Sequence, residues 1–486
     1  MPIPSAMPII HWFRRDLRLH DNTALFHAAS DATDGVIPVF IFDDAILKHP
    51  DCGGPIVQFM VGCLDVLAGQ LRKIGGDLLL LQGKPIEQLQ KLIRASNAKA
   101  IYFNKDYEPY AVERDMEVEQ RLPAQGVVVK PFKDSVIFEE QEILSASKGE
   151  PYTVYSPYRN AWMKKLGENL PVVLPTPHLK FADANILGIQ MPTPKSLGFE
   201  DTVGIEIEPG EIAGLRMLGT FCKTSIRDYP TTRNLPAEDG SSRLSPHLRH
   251  GTISPRQALA AAKEAKNAKK EGGPPIAAGA DTWIGELVWR EFYQQILFNF
   301  PKVVSHAFKE HLEKLPWEYD EKAWQAWVDG KTGFPIVDAG MRQLNQTGWM
   351  HNRVRMIVAM FLTKDQRIDY KRGERYFANR LIDFEIAQNN GNWQWCSSTG
   401  TDAQPYFRIF NPVSQSKTCD QKGEYIRRYV PELAKVPDRY IHEPNLMPLE
   451  LQEKIGCRIG KEYPAPILDH AVERDKTLAM FKKRGN

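Results

Sequence analysis

The chain has 486 residues, 42% hydrophobic and 25% charged, with a formal net charge of +2. That length exceeds one ordinary core and suggests two or three globular domains, while near-neutrality requires any polyanionic partner to meet a local basic patch. Six scattered cysteines (Cys52, Cys63, Cys222, Cys396, Cys419, Cys457) show no C-x-x-C or zinc spacing, Met1–Ala6 lacks a signal-peptide pattern, and no window approaches about 18 apolar residues. A disulfide framework, secretion and a membrane helix are therefore not expected, and a reducing, cytoplasmic setting is.

The first third alternates between short β-rich runs and helix-like segments. Strands are expected at Ile9–Phe13, Val36–Phe42, Leu78–Gln82, Ala100–Phe103 and Val127–Lys130, with helices around Asn22–Ser30, Pro55–Ile74, Ile86–Ser96 and Tyr110–Leu122. Nearly unbroken apolar strands between helices predict an α/β domain over 1–135 with a doubly wound parallel sheet. Neither G-x-G-x-x-G nor G-x-x-x-x-G-K-[ST] occurs, which argues against a nucleotide site of those types. The run from His11 to Asn22 carries three arginines and two aspartates and reads either as a salt-bridged loop or as a ligand site. Asn104, Asp106 and Glu108 follow the fourth strand, where parallel sheets bind ligands.

Over 136–205 the pattern dissolves into a proline-rich connector, expected to wrap the surface, with Thr153–Trp162 packed. From 206 to 486 the periodicity is helical, with helices expected at Ala258–Lys270 (ended by Glu271-Gly-Gly-Pro-Pro275), Asp281–Phe300, Met341–Thr363 and Arg375–Trp395. Six of the ten tryptophans fall between Trp283 and Trp349, which marks this half as the place of aromatic recognition.

Four constellations there carry chemistry. After Gly240, Ser241, Ser242, Arg243, Leu244 and Ser245 form either a phosphate cradle or a capped helix start. Glu286, Trp289, Arg290 and Tyr293 share one helical face, suited to stacking on and hydrogen-bonding a planar base, or to an i,i+4 pair beside a core Trp. In Trp349-Met-His-Asn-Arg-Val-Arg-Met356, Asn352 and Met356 share a face, Arg353 points elsewhere, and Arg355 is a candidate bidentate partner for Asp383. His351 reads as structural. Finally, Leu381–Trp395 packs two carboxylates, Asn389-Asn-Gly and two indoles into fifteen residues, and a helix over 385–395 would align Glu385, Asn389 and Trp393. That face suits a polar aromatic guest such as a flavin; the alternative is a Trp-rich packing corner.

Taken together, Phe13-Arg-Arg-Asp-Leu-Arg-Leu19, Ser241-Ser-Arg-Leu-Ser245, Glu286–Tyr293, Gly348-Trp-Met-His-Asn-Arg353, Asn389-Asn-Gly and Phe407-Arg-Ile-Phe-Asn-Pro412 resemble the photolyase/cryptochrome family, and most closely its class I cyclobutane pyrimidine dimer photolyases. The resemblance spans essentially the whole chain. It implies an α/β antenna domain, a long connector and an all-α C-terminal FAD-binding domain, with light-driven repair of UV-damaged DNA by electron transfer from reduced FAD to a flipped-out pyrimidine dimer. By matching position it assigns Tyr229, Ser241, Ser242, Arg243, Leu244 and Ser245 to the FAD phosphates. Trp283, Arg355, Asp383, Phe384, Glu385 and Asn389 would then line the flavin. Glu286, Asn352 and Met356 would contact the lesion, Trp289 and Trp395 would stack on it, and Arg233, Arg290, Arg353 and Arg408 would meet DNA phosphates. Trp393, Tyr370 and Trp317 map to the electron relay.

Within that family, Asn389, Met356 and the absence of a His-His pair at His351-Asn352 favour repair over the alternative, a blue-light receptor of the cryptochrome type without repair activity. The loop Asn104–Tyr110 is more similar to members that bind 8-hydroxy-5-deazaflavin than to those that bind methenyltetrahydrofolate. No metal is expected, and a monomer is. Two departures stand out: the family's Asp-Gly-Asp is Asp383-Phe384-Glu385 here, and Tyr370 occupies a position usually held by Trp.

Overall fold

A computed structural model of the chain describes residues 8–146, 148–267 and 276–483. Strands β1 (Ile9–Phe13), β2 (Val36–Phe42), β3 (Leu79–Gln82), β4 (Ala100–Asn104) and β5 (Val128–Phe132) form one sheet in the order β3-β2-β1-β4-β5, every neighbouring pair parallel. β1 and β2 are buried throughout because both faces are covered. Ile9, Phe13, Val36, Phe40 and Tyr102 pack on one side with the Thr23–Asp31 and Gly54–Lys73 helices. Ile10, Trp12, Ile37, Val39 and Ile101 pack on the other with the Pro85–Ser96 and Pro109–Arg121 helices. Gly54–Lys73 is also, among the described residues, the one helix long and apolar enough by composition to cross a membrane, which the sequence reading did not anticipate; Phe59, Leu64, Leu67 and Leu71 bury it against the sheet.

The connector is tied down. Its Tyr155–Glu168 helix buries Trp162, whose Nε1 donates to Glu291 at 2.7 Å, and the same carboxylate accepts the backbone N–H groups of Ile137 (2.6 Å) and Phe138 (3.0 Å). Further on, Val36 N donates to Lys180 O (2.8 Å) and Ile189 N to Leu80 O (2.8 Å), so the proline-rich stretch runs along the sheet.

Two expected helices are each two. Met341–Thr363 is broken into Pro335–Thr347 and Asn352–Met360, the second running on into a π-helical turn at Phe361–Asp365. Gly348 ends the first at φ +69°, where glycine carries no Cβ penalty. Arg375–Trp395 is broken into Tyr370–Arg380 and Ile386–Ser397. The apolar pattern persists across that break, but Leu381 and Phe384 enter the helical core whereas Ile382 enters the sheet-side core. One helical face cannot serve both. The breaks lie side by side, with Ile382 N donating to Gly348 O at 2.9 Å. The expected helix at Ala258–Lys270 appears as Pro255–Asn267; its end and the Glu271–Pro275 breaker lie outside the described residues.

Candidate functional site

The paired breaks open a cleft. A cavity of about 420 Å³ runs into a second of about 200 Å³, the two sharing Ser245, Trp349, Asn352, Arg355, Met356, Asp383 and Glu385 in their walls. Tyr229, Arg233, Ser241, Ser242, Arg243, Leu244, Trp283, Glu286, Trp289, Arg290 and Trp395 line the larger; Phe384, Asn389 and Trp393 line the smaller. Residues spread over more than 160 positions of sequence thus meet around one space.

Each side chain is held by its neighbours. Ser245 begins the short Ser245–His250 helix but does not cap it; its hydroxyl donates to Asp383 Oδ2 (2.6 Å) and accepts from Trp349 Nε1 (3.3 Å). The capped-helix reading of this serine therefore fails, and the Ser241–Ser245 turn is left facing the cavity. Within it, Arg243 adopts φ +51° and lies over the Trp349 ring, 4.7 Å from its centroid. Arg355 grips the buried Asp383 carboxylate in bidentate fashion, at 2.8 and 3.2 Å. His351 accepts from Arg353 N (3.2 Å) as the N-cap of the Asn352–Met360 helix; burial, reinforced by Arg355 and Arg353, lowers its pKa to about 4. Held neutral, it serves structure. Asn389 donates its amide to Glu374 O (2.9 Å), which fixes the amide orientation and leaves Oδ1 as an acceptor.

Glu286 pairs with Arg233 at 2.6 Å, not with Arg290 one turn on. Burial raises the Glu286 carboxyl above its ordinary range while Arg233 opposes the shift. Arg290 turns away instead, donating to Ser135 O (2.8 Å) and to Glu385 (2.9 Å). Glu385 is the N-cap position of the Ile386–Ser397 helix and not a residue within it. Its carboxylate accepts from Arg15, Arg290 and Gln294 (3.0 Å), and although burial works to raise its pKa, Arg290, Arg15 and Arg249 hold it below the ordinary value.

Other expected site residues lie apart from this cleft. Arg353 donates to Asn234 (2.6 Å), and Arg408 is exposed on the loop after the Ile386–Ser397 helix. Tyr370 and Trp317 lie in the helical core with ring centroids 6.4 Å apart, and Trp393, which does line the smaller cavity, packs edge-on against Phe377 at 5.0 Å. Asp106 and Glu108 line a separate cavity of about 360 Å³ beside the sheet, together with Trp12, Phe42, Arg15 and Phe384. Phe384 borders both this space and the smaller cavity of the cleft. Asn104 is absent from that lining: its amide donates to Asp16 (2.6 Å) and Asn22 (2.8 Å), and its oxygen accepts from Ala24 N (2.9 Å). A buried bracket of this kind corrects its reading as a ligand contact. Gln388 and Asn392 are wall residues that carry no assigned role in the sequence although they lie within the dense Leu381–Trp395 stretch, a signal that could have included them. Arg15, from the arginine-rich run after the first strand, both pairs with Glu385 and lines the separate cavity.

The donor set fits the dinucleotide expected there. Hydroxyls, turn backbone and Arg243 line the larger cavity, the Arg355–Asp383 pair and Ser245 lie where the two cavities meet, and the Asn389 acceptor lines the smaller. Buried Gln388 Oε1 and Arg290 Nε, of residues that line the larger cavity, have no protein partner among the described residues.

Two family models match: DNA photolyase over residues 9–177, and the FAD binding domain of DNA photolyase over 283–483. The deoxyribodipyrimidine photo-lyase of a Synechococcus species is 41% identical over 484 residues, covering 98% of this chain and 97% of that protein. A bacterial class III photolyase from Agrobacterium tumefaciens superposes with a TM-score of 0.90 at 35% identity, covering 99% of this chain and 98% of the other. An archaeal photolyase from Sulfolobus tokodaii, solved with two FAD molecules, gives 0.81 at 32% identity over 98% and 100% of the two chains. By its sequence, its fold and the residues that line its cleft, the chain belongs to the DNA photolyase family.

Proposed function

We propose that this protein is a deoxyribodipyrimidine photolyase, which reverses cyclobutane pyrimidine dimers in UV-damaged DNA under light. The observation that carries the reading is the single cleft in which a cofactor-type donor set adjoins Glu286, Asn352, Met356, Trp289 and Trp395. Reduced FAD, when bound, supplies the photoexcited electron that opens the cyclobutane ring; the protein supplies binding and orientation.

Tyr229 and the Ser241–Ser245 turn hold the phosphates, and Arg355 with Asp383 anchors the flavin head. Asn389, its amide committed to Glu374, presents an acceptor to a flavin N–H. At the mouth, Asn352 and Met356 (Nδ2 to Sδ 4.0 Å) form the wall between cofactor and lesion, and Glu286 meets the dimer's polar edge. Burial raises its pKa while Arg233 opposes the shift, and the Glu286–Arg233 pair together presents a preorganised polar edge to the dimer carbonyls. Trp289 and Trp395 offer ring faces to an extruded pair of bases. Arg233, Arg353 and Arg408 are the phosphate contacts, whereas Arg290, occupied by Glu385 and Ser135, acts within the fold.

Trp393, Tyr370 and Trp317 lead outward from the cleft as an electron path to oxidised flavin. The cavity bordered by Trp12, Phe42, Asp106, Glu108 and Phe384 takes a second, planar chromophore, and the resemblance of the Asn104–Tyr110 loop favours 8-hydroxy-5-deazaflavin over methenyltetrahydrofolate. The absorption spectrum of purified protein distinguishes the two antennae. For the function itself, holoprotein in the dark is titrated with duplexes carrying one thymine dimer or none. Preference of at least about 100-fold for the dimer is expected, and equal affinity would contradict the reading.

A further inference from the structure

Trp289 does not stand alone in the wall of the cleft. The ring of Tyr155, from the connector, lies flat against it, with centroids 3.5 Å apart and planes 6° from parallel. Trp289 lines the cavity and Tyr155 does not, so the tyrosine backs the indole from outside the cavity, while Tyr293 (centroids 5.6 Å, 30°) and Phe292 (5.7 Å, edge-on) pack against it from its own helix. Tyr155 is itself fixed at both ends. Its hydroxyl donates to Gly285 O (2.9 Å), one turn before Trp289 on the Ile276–Asn299 helix. Its backbone N–H, an orphan donor in the first turn of the Tyr155–Glu168 helix, is taken by Asp402 Oδ2 at 3.1 Å.

Asp402 sits at φ +43° on the loop that follows the Ile386–Ser397 helix, between Trp395 and Arg408. A second latch joins the same two segments, Thr401 Oγ1 donating to Thr153 O. The connector therefore backs Trp289 with a ring and holds, at Thr401 and Asp402, the loop that follows the helix bearing Trp395.

We propose that Tyr155 is a positioning residue for the damaged bases. It fixes the angle of Trp289 and, through Asp402, the width of the opening between Trp289 and Trp395, so that the opening admits two linked pyrimidines face-on. The inference rests on the repair reading of the same cleft. A parallel ring on one face removes the freedom of the indole to turn about its side-chain bonds, and ordering that the free protein has already undergone is not charged against binding. The selectivity belongs to the flipped dimer alone, because undamaged duplex meets the arginines at the rim and not the interior.

The test uses FAD-loaded protein and measures Kd in the dark for a duplex with one thymine dimer and for its undamaged counterpart, with flavin content recorded for each variant. Tyr155→Phe retains the ring and should bind both duplexes within about 2-fold of the natural protein. Tyr155→Leu keeps apolar volume without a plane and should lose about 5- to 10-fold for the dimer alone, the scale of one aromatic pair. Asp402→Ala should produce a smaller loss of the same kind. Unchanged dimer affinity in Tyr155→Leu would overturn the proposal, as would equal weakening for both duplexes or loss of flavin, each of which marks a packing role. Should the natural protein itself not prefer the dimer, the repair reading fails first, a result separable from any effect of the variants.

Discussion

Asp383 is nearly inaccessible to solvent, and its charge is balanced by Arg355 and one serine hydroxyl. Arg355→Ala strands that carboxylate, so a loss of about 3 kcal/mol is expected, in the range for breaking a buried pair, together with loss of flavin. The urea midpoint and the ratio of flavin to protein absorbance measure both. Tyr370 gives a second test at this scale. Burial, with Glu374, Glu313 and Asp369 nearby, pushes its phenol well above the usual value, and oxidising a phenol that keeps its proton is hard. Tyr370→Trp should therefore speed photoreduction of oxidised flavin under blue light, and a natural protein that bleaches as fast as the variant would contradict the assignment. The sequence made the positions of Arg355, Asp383 and Asn389 legible because their motifs are local. It did not make the fate of Glu385 legible, since its partner Arg15 lies 370 residues away. A carboxylate in a motif shows where it stands, not which charge it spends itself on.

The five strands were readable because unbroken apolar runs mean burial on both faces, and the observed bounds differ from expectation by at most two residues. The broken helices were not. Hydrophobic spacing continues through 381–385, and only the division of those side chains between two cores shows why the backbone must leave the helix. The two helices flanking that break pack closely: a Cβ on Gly373 would stand 2.3 Å from Trp393 Cη2 and 2.6 Å from Leu362 Cδ2. Gly373→Ala should cost about 1–3 kcal/mol by overpacking and shift Trp393, despite the better helix propensity of alanine. Thermal unfolding and tryptophan fluorescence report the two effects. An unchanged or raised Tm would mean that the two helices are not in this contact.

At the scale of the molecule, the sheet-bearing part and the helical part are pinned through Asp134. Arg18 donates to both of its oxygens at 2.7 Å, and Arg256 to one at 2.7 Å while also reaching Asp21. Burial opposes the charge, but the two arginines win and pull the Asp134 pKa down to about 2. A depressed carboxylate stabilises the fold above its unfolded pKa near 3.8 and loses that contribution as pH falls toward 2. The natural protein should exceed Asp134→Asn in stability at pH 7, and the gap should close between about pH 4 and pH 2; a gap constant with pH would show that this pin does not hold the two parts together. The division into a sheet part, a connector and a helical part could be read from periodicity, but these contacts between the parts could not, because a single arginine in a charged loop carries no sign of its distant partner.

The central claim is that one cleft joins cofactor and damaged bases for light-driven repair. It is tested most directly by illuminating the flavin-reduced holoprotein with DNA carrying a single thymine dimer and counting the dimers that remain. Loss of the dimer in the light and none in the dark, with the loss abolished in Arg355→Ala, is the predicted result. Dimers that persist under illumination, with reduced FAD and DNA both bound, would contradict it.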